Sequence, residues 1–349
     1  MKDLDSTKRG SFYNDYESKK EVEYLQDYEA RDDKFFDLSS YLNHKEVQRW
    51  VGYYQGKGRY GLVQALKRGE KYRPMIEAIF LDKNLPVDFY YLALIESSFI
   101  SNARSHAGAV GIWQFMPATG KRYGLRVNHF VDERKDPIRA SVAAASYIAD
   151  LHRVFQNWFL ALSAYSSGEG RVLGAIMRKE TRDFWRLAEQ KALPRETRNY
   201  VPKFIAAIWV SRQLESSELA RWKADFIEPL RGLTVSSGVS LSEISRVANV
   251  SETKVKLYNP HLKHSVIPPG TSSYVLWLPK KLVNSSLESA IVKLRPSKVS
   301  KSYKVKKGDN LHTIARRFGT NIRSIKRVNN LVRSRIYAGQ VLKIPSSHT

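Results

Sequence analysis

The sequence predicts a multidomain protein in which a mainly α-helical domain is followed by small α+β modules. Between residues 41 and 215, apolar residues recur three or four positions apart, which is the spacing of amphipathic helices, and no strand-like alternation of useful length occurs. Beyond about residue 230 the composition shifts toward Val, Ser and Thr, and a repeat with an offset of 70 residues appears. The length of 349 residues suits two or three domains.

Residues 1–40 are predicted to form a charged N-terminal arm. They contain seven Lys or Arg and eleven Asp or Glu, a net charge of −4, with few aliphatic side chains. The first 20 residues contain no apolar segment of the kind found in signal peptides. No run of about 18 apolar residues occurs in the chain, so the sequence predicts no membrane-spanning helix.

Glu96 is the most informative residue of the helical domain, because it stands where an ordinary helix would carry a hydrophobe. A helix is predicted to begin near Pro86 and Asp88. Helical spacing places six side chains on one face: Phe89, Leu92, Ala93, Glu96, Phe99 and Ile100. A carboxyl group on an apolar face loses solvation, which raises its pKa and lets it donate a proton near neutral pH. The alternative is a glutamate at the rim of a buried face, with its carboxyl group in solvent.

A glycine-rich and aromatic segment follows at residues 106–120. Gly108 and Gly111 permit positive φ angles or the close approach of a ligand. The amide of Gln114 offers a hydrogen-bond donor and an acceptor. Apolar surface is offered by three neighbouring side chains: Trp113, Phe115 and Met116. Proteins bind sugars with such groups. The alternative is a tight core turn that leads into a helix starting at Pro117.

Two longer helical segments complete this domain. The first runs from Ile138 to Leu162 and continues as a buried apolar run to Tyr165. The second is amphipathic and runs from Arg198 to Leu214.

The C-terminal repeat predicts two related modules, residues 230–280 and 301–346, joined by a linker over residues 281–300. Five positions match at the fixed offset: Leu241, Ile244, Arg246, Lys256 and Asn259 against Leu311, Ile314, Arg316, Lys326 and Asn329. Each copy ends in a short strand followed by proline. In the second copy, Gly308 and Asp309 predict a turn, and Asp309 or Asn310 is suited to cap the next helix. The first copy lacks the Gly-Asp pair.

Four motifs occur in one order along the helical domain: Glu96-Ser97-Ser98-Phe99, Gly108 to Pro117, Ala164 to Gly170, and Leu193 to Lys203. Together they resemble the catalytic domain of the lytic murein transglycosylases, which are related to soluble lytic transglycosylase and goose-type lysozyme. The resemblance implies a mainly α, lysozyme-like catalytic domain over residues 41–215. Residues 301–346 resemble a LysM module, a strand–helix–helix–strand fold that binds glycans containing N-acetylglucosamine. Residues 230–280 resemble a divergent LysM module whose sugar binding stays open, and the alternative for both copies is a spacer without a ligand.

The resemblance also implies a reaction and a set of site residues. The chain would cleave the β-1,4 bond between N-acetylmuramic acid and N-acetylglucosamine and form 1,6-anhydromuramic acid ends. Glu96 would be the catalytic acid and then the base, and Tyr200 would orient it. The implied substrate-binding residues are Ser97, Gln114, Met116, Tyr165 and Tyr200, although Ser97 could instead bond its own helix, and Met116 and the tyrosines could serve packing alone. Relatives commonly have Asn where this chain has Ser166, whose side chain reaches less far.

Two other functions remain open. A hydrolytic muramidase uses a second carboxylate, and five acidic residues are candidates for it: Asp132, Glu133, Asp136, Glu169 and Glu196. A non-catalytic peptidoglycan-binding scaffold would keep the fold without using Glu96.

The composition narrows the cofactors and partners. The chain has no cysteine, which excludes disulfides, thiolate metal sites and a cysteine nucleophile. His261 and His264 have no acidic neighbour, so we expect no metal ion and no cofactor. Residues 301–345 carry a net charge of +11 out of +24 for the chain. We expect the partners to be peptidoglycan glycan strands, whose stem peptides carry carboxylates, and not nucleic acid.

The implied substrate predicts a monomer in the cell envelope, in the periplasm or at the outer membrane, with peripheral membrane association. No signal peptide or lipid-modified cysteine is visible in the sequence. We therefore expect that an export signal is missing from this sequence. The alternatives are a misassigned start codon, an unusual export route or a cytoplasmic enzyme.

Overall fold

The computed structural model describes residues 36–218, 230–268, 272–295 and 301–344. They divide into two units, one formed by residues 36–125 with 134–218 and the other by residues 126–133 with the chain from residue 230. Residues 1–35 of the predicted N-terminal arm lie outside the described residues. None of the helices in the described ranges is both long and apolar enough to cross a lipid bilayer.

The first unit is helical, which confirms the predicted fold class. Its α-helices are α1 (Lys45–Gln55), α2 (Arg59–Glu70), α3 (Arg73–Asp82), α4 (Tyr90–Ser97), α5 (Pro117–Arg122), α6 (Pro137–Phe155), α7 (Trp158–Ser167), α8 (Glu169–Lys179), α9 (Phe184–Glu189) and α10 (Arg195–Glu218). Large aromatic side chains fill its core, including Phe80, Phe89, Trp113, Phe155 and Phe204. Helix α10 packs against α1, α4 and α7, so side chains from four helices meet there.

The helix that carries Glu96 is shorter than the sequence predicts. A 3₁₀ turn at Val87–Phe89 leads into α4, which ends at Ser97. Phe99 and Ile100 therefore lie beyond the helix, and Ile100 is 41% exposed. Asp88 lies in the first turn of this 3₁₀ segment, where it is buried and forms an ion pair with Arg212.

The long helix predicted from Ile138 to Leu162 is two helices. Helix α6 ends at Phe155 because Gln156 adopts a left-handed conformation with φ of 49°. The side chain of Asn157 then accepts hydrogen bonds from the backbone N–H groups of Phe159 and Leu160 and begins α7. Apolar periodicity continues across this break, so it gives no sign of the change in direction.

The second unit contains two strand–helix–helix–strand modules, as predicted. In the first, β1 (Leu230–Ser236) pairs antiparallel with β2 (Ser273–Pro279), with α11 (Leu241–Ala248) and α12 (Glu252–Tyr258) between them. The first module continues into α13 (Ser285–Lys293). In the second module, β3 (Lys301–Lys304) pairs antiparallel with β4 (Val341–Ile344), and α14 (Leu311–Phe318) and α15 (Ile322–Val328) lie between them.

The repeat in the sequence corresponds to a repeated contact. The side chain of Asn259 donates to the Trp277 carbonyl and accepts from the Trp277 N–H, at 2.8 Å each, which joins the end of α12 to β2. Asn329, at the matching position, makes the same two contacts with the backbone of Lys343 in β4. Both asparagines thus hold the second helix of a module to its second strand.

The predicted turn is present in the second module, where one residue closes the turn and the next one caps the helix. Gly308 has φ of 89°, and Asn310 caps α14 by accepting from the Thr313 N–H at 2.8 Å. Asp309 instead accepts from the Lys306 N–H and from the Tyr303 hydroxyl, which closes the turn.

Two features of the first module differ from the sequence interpretation. The segment interpreted as a linker contains α13, whose Leu287 and Ile291 are buried in the core of the module. Residues 126–133 also belong to this core, since Val131 is fully buried in it and the Asp132 N–H donates to the His261 carbonyl at 2.9 Å. This segment lies about a hundred residues earlier in the chain, so no local pattern predicts its position.

Candidate active site

Glu96 lies in the last turn of α4 and is hydrogen-bonded to α10. The hydroxyl group of Tyr200 donates to Oε1 of the Glu96 carboxyl group. Burial raises the pKa of Glu96 to about 7, and the charge of Glu196 adds to this rise. The hydrogen bond from Tyr200 and the charge of Lys203 act in the opposite direction. A carboxyl group with this pKa is partly protonated at neutral pH and can act as an acid and as a base.

The backbone immediately after Glu96 has an unusual conformation. Ser98 and Phe99 are both left-handed, with φ of 54° and 60°. Such angles are unfavourable for side chains larger than glycine and persist where surrounding contacts impose them. Here the guanidinium of Arg68 donates to the Ser98 carbonyl at 2.9 Å, and the Phe99 ring packs on Tyr90 with centroids 4.6 Å apart. The chain thus ends α4 sharply behind the carboxyl group.

Ser97 bonds the protein in this structure. Its hydroxyl lies 2.8 Å from the Ile112 carbonyl and 3.1 Å from the Ala93 carbonyl. The first contact joins α4 to the segment 108–117, and the second lies within α4. Of the two roles that the sequence left open for Ser97, the contact with its own helix is present.

The segment 108–117 is a tight loop braced by a buried arginine. Nη1 of Arg134 donates to the carbonyls of Gly108 and Phe115, at 3.0 and 2.9 Å. Gly111 has φ of 89°, and a Cβ atom on it would lie 1.8 Å from the Arg134 carbonyl oxygen. Gln114 is also left-handed, with φ of 49°, and its Nε2 donates to the Gly111 carbonyl at 2.8 Å.

The expectation that this loop offers aromatic surface to a sugar was wrong for two residues. Trp113 and Phe115 are buried, and Nε1 of Trp113 donates to the Ser141 hydroxyl at 2.9 Å. Met116 is 42% exposed, so it remains available at the surface. The core turn that the sequence left as the alternative is therefore present, and α5 begins at Pro117 as that alternative predicts.

Tyr165 and Ser166 occupy the last turns of α7. The Tyr165 hydroxyl donates to the Trp113 carbonyl at 2.8 Å, and the side chain is half-buried. Burial raises the pKa of Tyr165 well above its ordinary value, and the charge of Glu96 contributes to the rise. The two side chains therefore interact electrostatically, and the Glu96 charge affects the pKa of Tyr165. Ser166 is half-buried one residue later.

The five candidates for a second carboxylate have different surroundings. Asp136 caps α6 and pairs with Arg139, and Glu169 pairs with Arg122. Asp132 and Glu133 belong to the second unit, where Glu133 is buried and accepts from the Tyr274 hydroxyl. Glu196 is exposed, and it is the one of the five whose charge contributes to the pKa of Glu96.

Lys203 is a neighbour of Glu96 that the sequence interpretation passed over. It follows Tyr200 by three positions on α10, so both side chains lie on one face of the helix. Its Nζ donates to the Ile95 carbonyl at 3.0 Å. This helical spacing within the fourth motif was the signal that could have found it.

No metal centre is evident among the residues that the structure describes. Within these ranges, no group of three or more His, Cys, Asp or Glu side chains is placed to hold a metal ion. Nε2 of His264 lies 3.1 Å from the His129 carbonyl.

Comparison with known proteins identifies three family domains in the chain. Residues 75–188 match the transglycosylase SLT domain, residues 230–289 match the LysM-like domain of lytic transglycosylase MltD, and residues 303–345 match the LysM domain. The resemblance inferred from the four motifs is thereby confirmed. Tyr200 and Lys203 lie beyond the end of the SLT match.

The relatives and the solved structure that follow are similar to this chain over different lengths. The chain is 32% identical over 293 residues to membrane-bound lytic murein transglycosylase D of Escherichia coli K12. The matched region covers 79% of this chain and 64% of the relative. This chain is also 37% identical over 111 residues to peptidoglycan transglycosylase gp16 of Escherichia phage T7. Here the matched region covers 26% of this chain and 8% of the relative. Among solved structures, lytic transglycosylase Slt of Pseudomonas aeruginosa is 25% identical with a TM-score of 0.36, over 42% of this chain and 24% of that chain.

Proposed function

We propose that this chain, which carries the SLT domain of the lytic murein transglycosylase family, cleaves peptidoglycan between N-acetylmuramic acid and N-acetylglucosamine and leaves 1,6-anhydromuramic acid ends. The observation that carries the proposal is the hydrogen-bonded pair of Glu96 and Tyr200, in which burial raises the pKa of Glu96 to about 7. The chain spans 64% of the length of its E. coli relative, so the activity of the whole protein is part of this proposal.

Glu96 performs the first half of the reaction as an acid. Its proton passes to the glycosidic oxygen, and the bond between this oxygen and C1 of N-acetylmuramic acid breaks. The product containing N-acetylglucosamine leaves with a free hydroxyl group. Glu96 becomes a carboxylate beside the positive charge that develops at C1, and the Tyr200 hydroxyl stabilises this carboxylate by donating to Oε1.

Glu96 performs the second half as a base. The C6 hydroxyl of the same N-acetylmuramic acid attacks C1 and gives its proton to the Glu96 carboxylate. The 1,6-anhydro ring closes, Glu96 returns to its protonated form, and no water is consumed. Because the nucleophile belongs to the substrate, its effective concentration is high, and one carboxyl group suffices.

The remaining site residues support the binding of the glycan. Met116 offers exposed apolar surface, and the strained loop fixes the side-chain amide of Gln114. Tyr165 lies close enough to Glu96 to feel its charge. Ser97 acts indirectly, because its hydroxyl joins α4 to the loop that carries Gln114.

The C-terminal modules place the enzyme on its polymer. The LysM match at residues 303–345 and the net charge of +11 over residues 301–345 support binding to glycan strands with acidic stem peptides. We place the protein in the cell envelope as a monomer, in the periplasm or peripherally at the outer membrane, where this substrate lies.

Mass spectrometry of the muropeptides released from purified sacculi tests the proposal. The wild-type chain is expected to release products with 1,6-anhydro ends, and Glu96→Gln is expected to release none. Products heavier by one water would instead indicate a hydrolytic muramidase, which the electrostatic contact between Glu196 and Glu96 favours as the second candidate. If neither protein releases any muropeptide, the chain is a peptidoglycan-binding scaffold. Equal release by both proteins would mean that Glu96 is not the catalytic group.

A further inference from the structure

Lys203 places a positive charge against the backbone that carries Glu96. Its Nζ donates to the carbonyl of Ile95, the residue before Glu96, at 3.0 Å. This carbonyl belongs to the last turn of α4, where carbonyl groups have no partner within the helix. A cation at a helix C-terminus also interacts favourably with the helix dipole. Lys203 is thus held in place by backbone and not by the carboxyl group itself.

A tryptophan from a third helix borders the same lysine. Trp50 lies on α1, which packs against α10, and Nζ of Lys203 is 5.9 Å from the centre of its ring. The ring attracts the ammonium group weakly at this distance and restricts the lysine side chain. Trp50 and Lys203 both lie outside the residues that match the SLT domain.

We propose that Lys203 is a positioning residue that keeps a positive charge beside Glu96 throughout the reaction. The inference rests on the proposed function, because a mechanism with one carboxyl group makes Glu96 alternate between a neutral and an anionic form. Burial disfavours the anion, so a fixed cation next to α4 offsets part of this cost at the moment when Glu96 has given up its proton. Glu96 keeps its own carboxyl group free to reach the glycosidic oxygen, because the ammonium group bonds the Ile95 carbonyl.

Four polar side chains interact electrostatically with Glu96. Helix α10 carries Tyr200, Lys203 and Glu196, and α7 carries Tyr165. Lys203 lowers the pKa of Glu96, whereas Glu196 raises it. Burial lowers the pKa of Lys203 itself, and the two carboxylates act against that change. The lysine and Glu196 therefore shift the pKa of Glu96 in opposite directions, which makes them a matched pair for a test.

The direct test measures the pKa of Glu96 by ¹³C NMR in the full chain, with Glu96→Gln used to assign the resonance. Lys203→Met is expected to raise this pKa by about one unit, the lower end of what a neighbouring charge commonly causes. Lys203→Arg, which keeps the charge, is expected to leave it near the wild-type value. Glu196→Gln is expected to lower it. An unchanged pKa in Lys203→Met would overturn the proposal.

The kinetic test uses the same variants on soluble glycan fragments. Lys203→Met is expected to lower kcat about tenfold with little change in KM, because its ammonium group contacts the protein backbone, and to move the alkaline limb of the pH profile upward by about one unit. Lys203→Arg is expected to restore both. If the arginine and methionine variants lose activity equally with unchanged pH profiles, Lys203 is structural and the proposal fails.

Two further controls keep the test decisive. If Lys203→Met does not fold, Lys203→Gln provides an uncharged side chain that retains a donor for the Ile95 carbonyl, and the same shift is expected. If the wild-type chain forms no anhydro product, the proposed function fails. The NMR titration still decides in that case whether Lys203 controls the pKa of Glu96.

Discussion

The hydroxyl group of Tyr200 donates a hydrogen bond to the carboxyl group of Glu96, although the two residues are 104 positions apart in the chain. Their helices, α10 and α4, pack directly against each other. The bond gives the half-buried Glu96 side chain a partner on α10 and engages one of its two carboxyl oxygens. It also limits how far burial raises the pKa of Glu96, since this hydrogen bond lowers it.

Replacing Tyr200 with phenylalanine tests this relationship. Without the donor, the pKa of Glu96 should rise above about 7, and the carboxyl group becomes a weaker acid. We expect kcat to fall roughly tenfold to a hundredfold, as for the loss of a hydrogen bond to a charged group. The pH profile of kcat on soluble glycan fragments measures both effects. Tyr123→Phe is the control, because the Tyr123 hydroxyl also bonds a carboxylate, that of Asp150. Equal activity in the two variants would contradict the role of Tyr200.

Thermal unfolding tests the pKa of Glu96 without any assay of activity. Its pKa rises from the ordinary value of 4.5 to about 7 on folding, so the folded protein loses stability as pH increases between these values. Glu96→Gln removes the buried charge. We expect its stability relative to wild type to increase from pH 4.5 to pH 8, by on the order of 2–3 kcal/mol. Glu189→Gln, at an exposed position on α9, should show no such trend. A pH-independent difference for Glu96→Gln would contradict the raised pKa.

Sequence patterns predict the parts of this protein whose contacts are local or repeated. The positions that match at the fixed offset include Asn259 and Asn329, and both bond the backbone of the second strand of their module. The turn at Gly308 follows from residue type, because its φ of 89° favours glycine. Tyr200 was predicted as the partner of Glu96 from a motif shared with a family, because periodicity carries no information about pairs of residues far apart in the chain.

The errors arise where tertiary packing decides the outcome. Trp113 is of a residue type that commonly binds sugars, but here its Nε1–H donates a hydrogen bond to the Ser141 hydroxyl and the ring is buried in the core. Residues 281–300 were interpreted as a linker because this part of the chain is rich in Lys, Ser and Val, yet it contains α13, whose Leu287 and Ile291 are buried. Val131 fills a core formed by residues about a hundred positions later. Only the three-dimensional contacts distinguish these alternatives.

Deleting residues 301–349 tests whether the second LysM-type module acts as a tether. A second binding site raises the local concentration of an enzyme on an insoluble polymer but adds nothing on a small soluble substrate. We expect activity on intact sacculi to fall about tenfold or more, with activity on soluble fragments nearly unchanged. Release of muropeptides from both substrates measures the ratio. Raising the salt concentration should lower the activity of the wild-type chain on intact sacculi, because the module carries a net charge of +11 and salt screens its attraction to the polymer. Equal losses on both substrates would indicate that the deletion damages the catalytic domain.

Two glycines in one loop provide a matched test of how the Gln114 loop is held. Gly108 and Gly111 have nearly the same φ, 90° and 89°, so alanine is equally strained at both. They differ in space, because a Cβ atom on Gly111 would lie 1.8 Å from the Arg134 carbonyl oxygen, whereas one on Gly108 would have no atom within 4 Å. Gly108→Ala should therefore cost about 1–2 kcal/mol from backbone strain alone. Gly111→Ala should cost at least about 3 kcal/mol and also lower kcat, because the displaced loop carries Gln114 and receives the Ser97 contact. Urea unfolding of the two variants measures the difference, and equal costs would mean that the close approach of Arg134 does not hold the loop.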